Sequence, residues 1–151
     1  LDENCTRMVG NLRMQMSILA GALMNEGKDK KAKAVLDKCL EVMPDENIAF
    51  DPTVFTICAT YYQLHEIEKA NELAKKLFGI FEGDLRVYNA QKGNHRVAYS
   101  REIGQAKEIL KRLTSLTQQF KQEALSKEFM SRLSAIVPPE ELAPASEEQM
   151  P

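Results

Sequence analysis

Two stretches of this chain read as copies of one another. Asn25-Glu26-Gly27-Lys28-Asp29-Lys30-Lys31-Ala32 lies between two apolar-periodic segments, and so does Gln63-Leu64-His65-Glu66-Ile67-Glu68-Lys69-Ala70. Ala32 and Ala70 are 38 residues apart. A short polar turn between two helical patterns, followed at once by a small residue and repeated at such a period, is the signature of stacked helical hairpins. That pattern constrains the fold to an all-α array, in which each hairpin buries its apolar face against the next.

Only seven Gly and six Pro occur in 151 residues, which suits long helices with few connections. A net charge of −2 gives no general attraction for nucleic acid or anionic membrane. Cys5, Cys39 and Cys58 are odd in number and lack motif spacing, so a disulfide framework is not expected. Cys39 and Cys58 fall on apolar stripes, where a thiol acts as a small hydrophobe. No apolar run reaches the ~18 residues of a membrane span, and the opening residues do not read as a signal peptide. A start at Leu1 rather than Met reads as a segment of something longer.

The spacing predicts a first helix from Thr6 to Asn25, with Met8, Leu12, Met16, Leu19 and Leu23 recurring on one face. Gly27 supplies a positive φ after it, and Asp29 is placed to cap a second helix ending near Met43, before Pro44. Thr53–Leu64 and Glu66 to about Phe81 follow as third and fourth helices, with Leu85 and Tyr88 extending the fourth pattern. Gln91-Lys92-Gly93-Asn94 is an interior break. A long helix from Val97 to Phe120, a turn near Gln119-Phe120-Lys121 and a last helix to Ile136 complete the series. The expected organisation is one helical domain over 1–137: a first repeat at 11–44, a second at 53–89 and a C-terminal hairpin at 97–137. Residues 138–151 read as an acidic disordered tail.

In its repeats the chain resembles the tetratricopeptide motif, with Ala20, Leu23, Ala32, Cys39 and Pro44 in one copy and Cys58, Tyr61, Ala70 and Ala74 in the other. Small residues let two helices cross closely, and large ones fill the adjoining gaps. A third unit with Ala124 after its turn matches less well. The resemblance implies about five to six helices stacked as a short solenoid. Its concave groove would be lined by Met14, Ser17, Met24, Phe55, Tyr62 and Gln63, a face without the Lys/Arg pairs that clamp a peptide carboxylate.

Over about residues 1–136 the order of several words is also similar to the soluble C-terminal region of a bacterial family of uncharacterised multi-spanning membrane proteins. That family is distantly related to protein O-mannosyltransferases. The words are Leu1-Asp2-Glu3-Asn4, Arg7-Met8, Asn11-Leu12-Arg13, Gly27 to Ala32, Leu36 to Glu41 with Pro44, Tyr61-Tyr62 and Glu68 to Glu72. The resemblance implies a non-catalytic interaction or scaffolding domain of a membrane-anchored glycosyltransferase-like protein. The segment itself would be soluble, attached to the membrane only through a missing N-terminal region. A free-standing adaptor for a protein or peptide is the alternative.

No catalytic, cofactor or metal motif stands out. His65 and His95 have no ligand-spaced companions, and His65 reads as a solvated turn residue. The stretch carrying Arg86, Tyr88, Lys92, His95, Arg96, Tyr99 and Arg101 interleaves basic and aromatic residues, a pattern that can serve single-stranded nucleic acid. Asp84, Glu102 and the negative net charge argue against that use. Arg86, Tyr88, Arg96 and Arg101 are instead an alternative surface for a protein or lipid headgroup.

Overall fold

The computed structural model describes residues 3–45, 49–91 and 98–138. Among these it contains six helices and no strand: α1 (Glu3–Asn25), α2 (Asp29–Val42), α3 (Val54–Gln63), α4 (Ile67–Ala90), α5 (Ser100–Gln119) and α6 (Glu123–Ser134). Two compact units, Leu1–Leu77 and Phe78–Pro151, divide the chain, and the division falls inside α4. The tail expected over 138–151 lies outside the described residues from 139 onward, as do positions 92–94 of the interior break.

Three helical connections close by one device. Gly27, His65 and Lys121 each adopt a left-handed backbone, with φ of 71°, 59° and 58°. At each, the next residue's N–H reaches back five positions: Lys28 to the Leu23 carbonyl at 2.8 Å, Glu66 to Tyr61 at 3.0 Å, Gln122 to Thr117 at 2.8 Å. The left-handed residue itself donates three positions back, at 2.8, 3.1 and 3.0 Å. This Schellman pairing satisfies carbonyls that a helix end leaves open. Glycine takes such a φ without cost, whereas a residue with a Cβ gives up about 1 kcal/mol or more. His65→Gly should therefore raise stability by about 1 kcal/mol, read from urea midpoints, and Gly27→Ala should lower it by a similar amount.

Gly27 and His65 keep the 38-residue offset of Ala32 and Ala70. Ala20 and Cys58, Ala32 and Ala70, Leu36 and Ala74, and Cys39 and Leu77 are four pairs at that same offset, and all eight residues are fully buried. The third connection corrects the alignment of the last hairpin. Five residues beyond Lys121 stands Ser126, so Ser126 takes the place of Ala32 and Ala70, and Ala124 is exposed. The added length before it comes partly from α4, which continues to Ala90 because Leu77, Phe78, Phe81 and Leu85 extend its buried stripe.

In the first unit α1 packs on α2 and on α3. The face of α1 turned inward is not the expected one. Met8, Leu12 and Leu19 are 69%, 50% and 49% exposed, while Arg13, Ser17 and Ala20 are buried. Ser17 and Ala20 are small, and only a small-residue face lets a neighbouring helix approach closely. Asp29 also departs from expectation: it is the first residue of α2, and Lys28 holds the cap position without a side-chain hydrogen bond. Asp29 acts there through its charge beside the helix N-terminus.

In the second unit Phe78 stacks on Phe129 with centroids 4.1 Å apart and planes at 13°. Around them Leu85, Leu110, Leu113 and Leu133 are buried. Thr114 and Thr117 are buried as well, and their hydroxyls donate to the Leu110 and Thr114 carbonyls at 2.9 and 2.8 Å, so neither is left unsatisfied.

Candidate functional site

The first unit carries a groove of about 520 Å³ between α2 and α4, bordered also by Pro44, Asp45 and Phe50 from the segment that joins α2 to α3. Its apolar lining is Leu40, Pro44, Phe50 and Leu73. Asp37, Glu41, Asp45, Lys69, Glu72 and Lys76 supply its charges, and Tyr61 contributes from α3. These positions follow from helical spacing. Asp37, Leu40 and Glu41 share one face of α2, and Lys69, Glu72, Leu73 and Lys76 share one face of α4.

Asp37 ties the walls together. Its Oδ1 accepts a hydrogen bond from the Tyr61 hydroxyl at 2.7 Å and from Lys69 Nζ at 2.6 Å. Lys69 Nζ also lies 5.9 Å from the centroid of the Tyr61 ring. Partial burial raises the cost of charge on Asp37, but the bonds from Lys69 and Tyr61 outweigh it and hold the carboxyl below its usual pKa. Burial, followed by the Asp37 carboxylate, pushes the Tyr61 phenol far up. One turn earlier Lys33 pairs with Glu66 at 2.7 Å, again joining α2 to the turn between α3 and α4.

The loop end of the groove is built on Arg13. This side chain is wholly buried, and it donates to the Met43 carbonyl at 3.0 Å, to the Ala49 carbonyl at 3.0 Å and to Asp51 Oδ2 at 3.5 Å. One arginine from α1 thus fastens the end of α2 and the far side of the loop. Its guanidinium lies 5.0 Å from the centroid of the Phe50 ring, and Lys76 Nζ lies 5.1 Å from the same centroid. Phe50 is held further by its own N–H, which donates to Asp45 Oδ1 at 2.9 Å, while Lys76 pairs with Asp45 Oδ2 at 3.7 Å. Asp51 Oδ1 accepts from the Thr53 N–H at 2.8 Å and from the Thr53 hydroxyl, which closes the turn before α3.

The structure does not gather the residues expected to line a concave groove into one exposed face. Tyr62 is fully buried, its hydroxyl donating to Asn71 Oδ1 at 2.7 Å, and Ser17 is buried on the inner face of α1. Phe55 and Met24 are half-buried, and Met14 and Gln63 are exposed. Tyr62 is thus a packing residue between α3 and α4 rather than an offered anchor. Sequence reasoning passed over Asp37, Glu41, Asp45, Lys69, Glu72 and Lys76 because charged helical faces usually only meet solvent. The available signal was the recurrence of charge beside Leu40 and Leu73 on both second helices.

At the alternative surface, Tyr88 stacks on Tyr99, with centroids 5.1 Å apart. The two rings thereby occupy each other. Arg86 donates to Glu82 Oε1 at 3.0 Å, Arg101 is exposed, and Arg96 lies outside the described residues. Glu82 is buried and also receives Arg132, through Nε at 3.1 Å and through a second guanidinium nitrogen on the same oxygen. The Arg132 bonds, aided by Arg86, hold the Glu82 carboxyl below its usual pKa against the effect of burial. A folded-state pKa below the unfolded one means stability that is present above the unfolded value and is lost as pH falls through the folded value. Glu82→Gln should therefore lower stability near neutral pH and flatten the acid loss, read from urea midpoints between about pH 7 and pH 3.

Cys39 and Cys58 are buried and Cys5 is exposed. Burial pushes both inner thiols up, Cys58 to about 12, and the Cys58 Sγ donates to the Ala70 carbonyl at 3.4 Å. A thiolate is the reactive form, so a thiol reagent at neutral pH should label Cys5 quickly and the other two only on unfolding. Among the described residues no cluster of His, Cys, Asp or Glu is placed to hold a metal, and no helix is long and apolar enough to cross a membrane. No family model, no curated protein and no solved structure matches the chain.

Proposed function

We propose that this chain is a non-catalytic docking domain, built from tetratricopeptide-like hairpins, that receives a protein or peptide segment in the groove between α2 and α4. The observation that carries the reading is the groove itself. Its floor is apolar, and its central ionisable groups, Asp37, Tyr61, Lys69, Asp45 and Lys76, bind one another. Such groups hold a shape. Their hydrogen-bonding capacity is spent on one another, which supports docking over catalysis. The four fully buried residue pairs and the shared left-handed turns support tetratricopeptide-like hairpins in the first unit. In the longer protein that the sequence resembles, the domain would serve a membrane-anchored glycosyltransferase-like parent as its interaction or scaffolding part.

The test is site-specific photocrosslinking in the native host. A photoreactive residue at Glu72, on the groove rim, should give a discrete adduct, and the same residue at exposed Lys127 in the second unit should not. Leu40→Glu, which puts charge on the groove floor, should remove the adduct at 72. Identical adducts from both positions, or none from position 72, would contradict docking in this groove.

A further inference from the structure

The charges of the groove specify the chemistry of what fits there, granted the docking reading above. Among the described residues four carboxylates line it, Asp37, Glu41, Asp45 and Glu72, against two ammoniums, Lys69 and Lys76. Both ammoniums are committed within the groove: Lys69 to Asp37 at 2.6 Å, Lys76 to Asp45 at 3.7 Å. Among the described residues Glu41 meets only Lys38, at 3.1 Å, in a pair whose side chains are 69% and 58% exposed. An ion pair that exposed contributes little and opens easily. Glu72 stands exposed on the opposite wall. The groove therefore presents an apolar floor between two rims with negative charge to spare, one rim on each helix.

We infer that the occupant is a basic, apolar segment of a partner protein, with an aliphatic side chain set down on Leu40, Pro44, Phe50 and Leu73 and a Lys or Arg on each side of it facing Glu41 and Glu72. The aliphatic group takes the floor because that surface is apolar and a polar group there would lose its water without a replacement bond. The flanking cations meet the two carboxylates whose charge the groove's own lysines leave uncompensated. An acidic segment would bring like charge to both rims, and displacing Lys69 or Lys76 to receive it would break the pairs that hold the walls. Those walls stand ready before binding: Asp37 fixes α2 against α3 and α4, and Arg13 fixes the loop, so little ordering cost falls on the domain.

Two synthetic peptides test this on the full chain: one alternating Lys and Leu, and its counterpart with every Lys replaced by Glu. The readout is the methyl NMR signals of Leu40 and Leu73 at low ionic strength. The Lys peptide should shift both leucines saturably and bind at least about tenfold tighter than the Glu peptide. Glu41→Lys/Glu72→Lys, two exposed substitutions, should reverse that preference while leaving the helical circular dichroism unchanged. Binding of the Glu peptide to the unaltered chain as tightly as the Lys peptide, or a preference that survives the double substitution, overturns the basic-segment assignment and leaves the docking site standing. Failure of both peptides to move Leu40 and Leu73 contradicts the docking reading itself, and this assignment with it.

Discussion

Arg13→Ala should lower stability by about 3 kcal/mol, from the void its fully buried side chain leaves and from the loss of the donor to the Met43 carbonyl. The urea midpoint should move by a matching amount. The effect has three parts. Asp51 loses the guanidinium, the Met43 and Ala49 carbonyls lose their shared donor, and the fully buried stem leaves a void. The bond to the Met43 carbonyl is the buried one, and leaving that acceptor unsatisfied alone costs about 1–3 kcal/mol. Arg13→Lys separates charge from geometry. One ammonium keeps the sign but cannot reproduce a planar fork that spans two carbonyls, so it should recover only part of the loss. A variant with an unchanged midpoint would show that the loop is held by something else.

Phe129→Ala should cost about 3–5 kcal/mol, as large buried aromatics do when truncated. Phe129 is fully buried and stacks on Phe78, and Arg132 lies 4.9 Å from the Phe78 centroid while it binds Glu82. Removing the ring therefore empties a core position and loosens the support under an ion pair. Phe129→Leu keeps most of the volume and should cost less than half as much. Urea denaturation followed by circular dichroism checks both substitutions.

What the sequence discloses about this fold is local. The turns at Gly27 and His65 are legible because a polar break beside an alanine has few backbone solutions. The buried pairs at the same spacing follow from it. The last hairpin is displaced by two residues because the position equivalent to Ala32 and Ala70 holds Ser126, whereas Ala124, two residues earlier, offers the small apolar side chain that pattern reading looks for. The orientation of α1 escapes pattern reading for another reason. Apolar residues lie on both sides of that helix, so periodicity gives a period without saying which side faces inward. The deciding residue is Arg13, whose charge suggests solvent, yet whose partners are carbonyls 30 and 36 positions away in the chain. The same blindness hides the groove. Asp37 and Lys69 look like ordinary surface charges until folding brings them within 2.6 Å.

The docking reading rests on two like hairpins, whose second helices form the groove walls. The most direct measurement is an experimentally determined structure in which residues 20–39 are superposed on 58–77. The account predicts that the two segments overlay helix for helix, with Gly27 on His65 in left-handed conformations and Ala32 on Ala70 in the same buried contact. Hairpins that cross at different angles, or His65 with a negative φ, would contradict it.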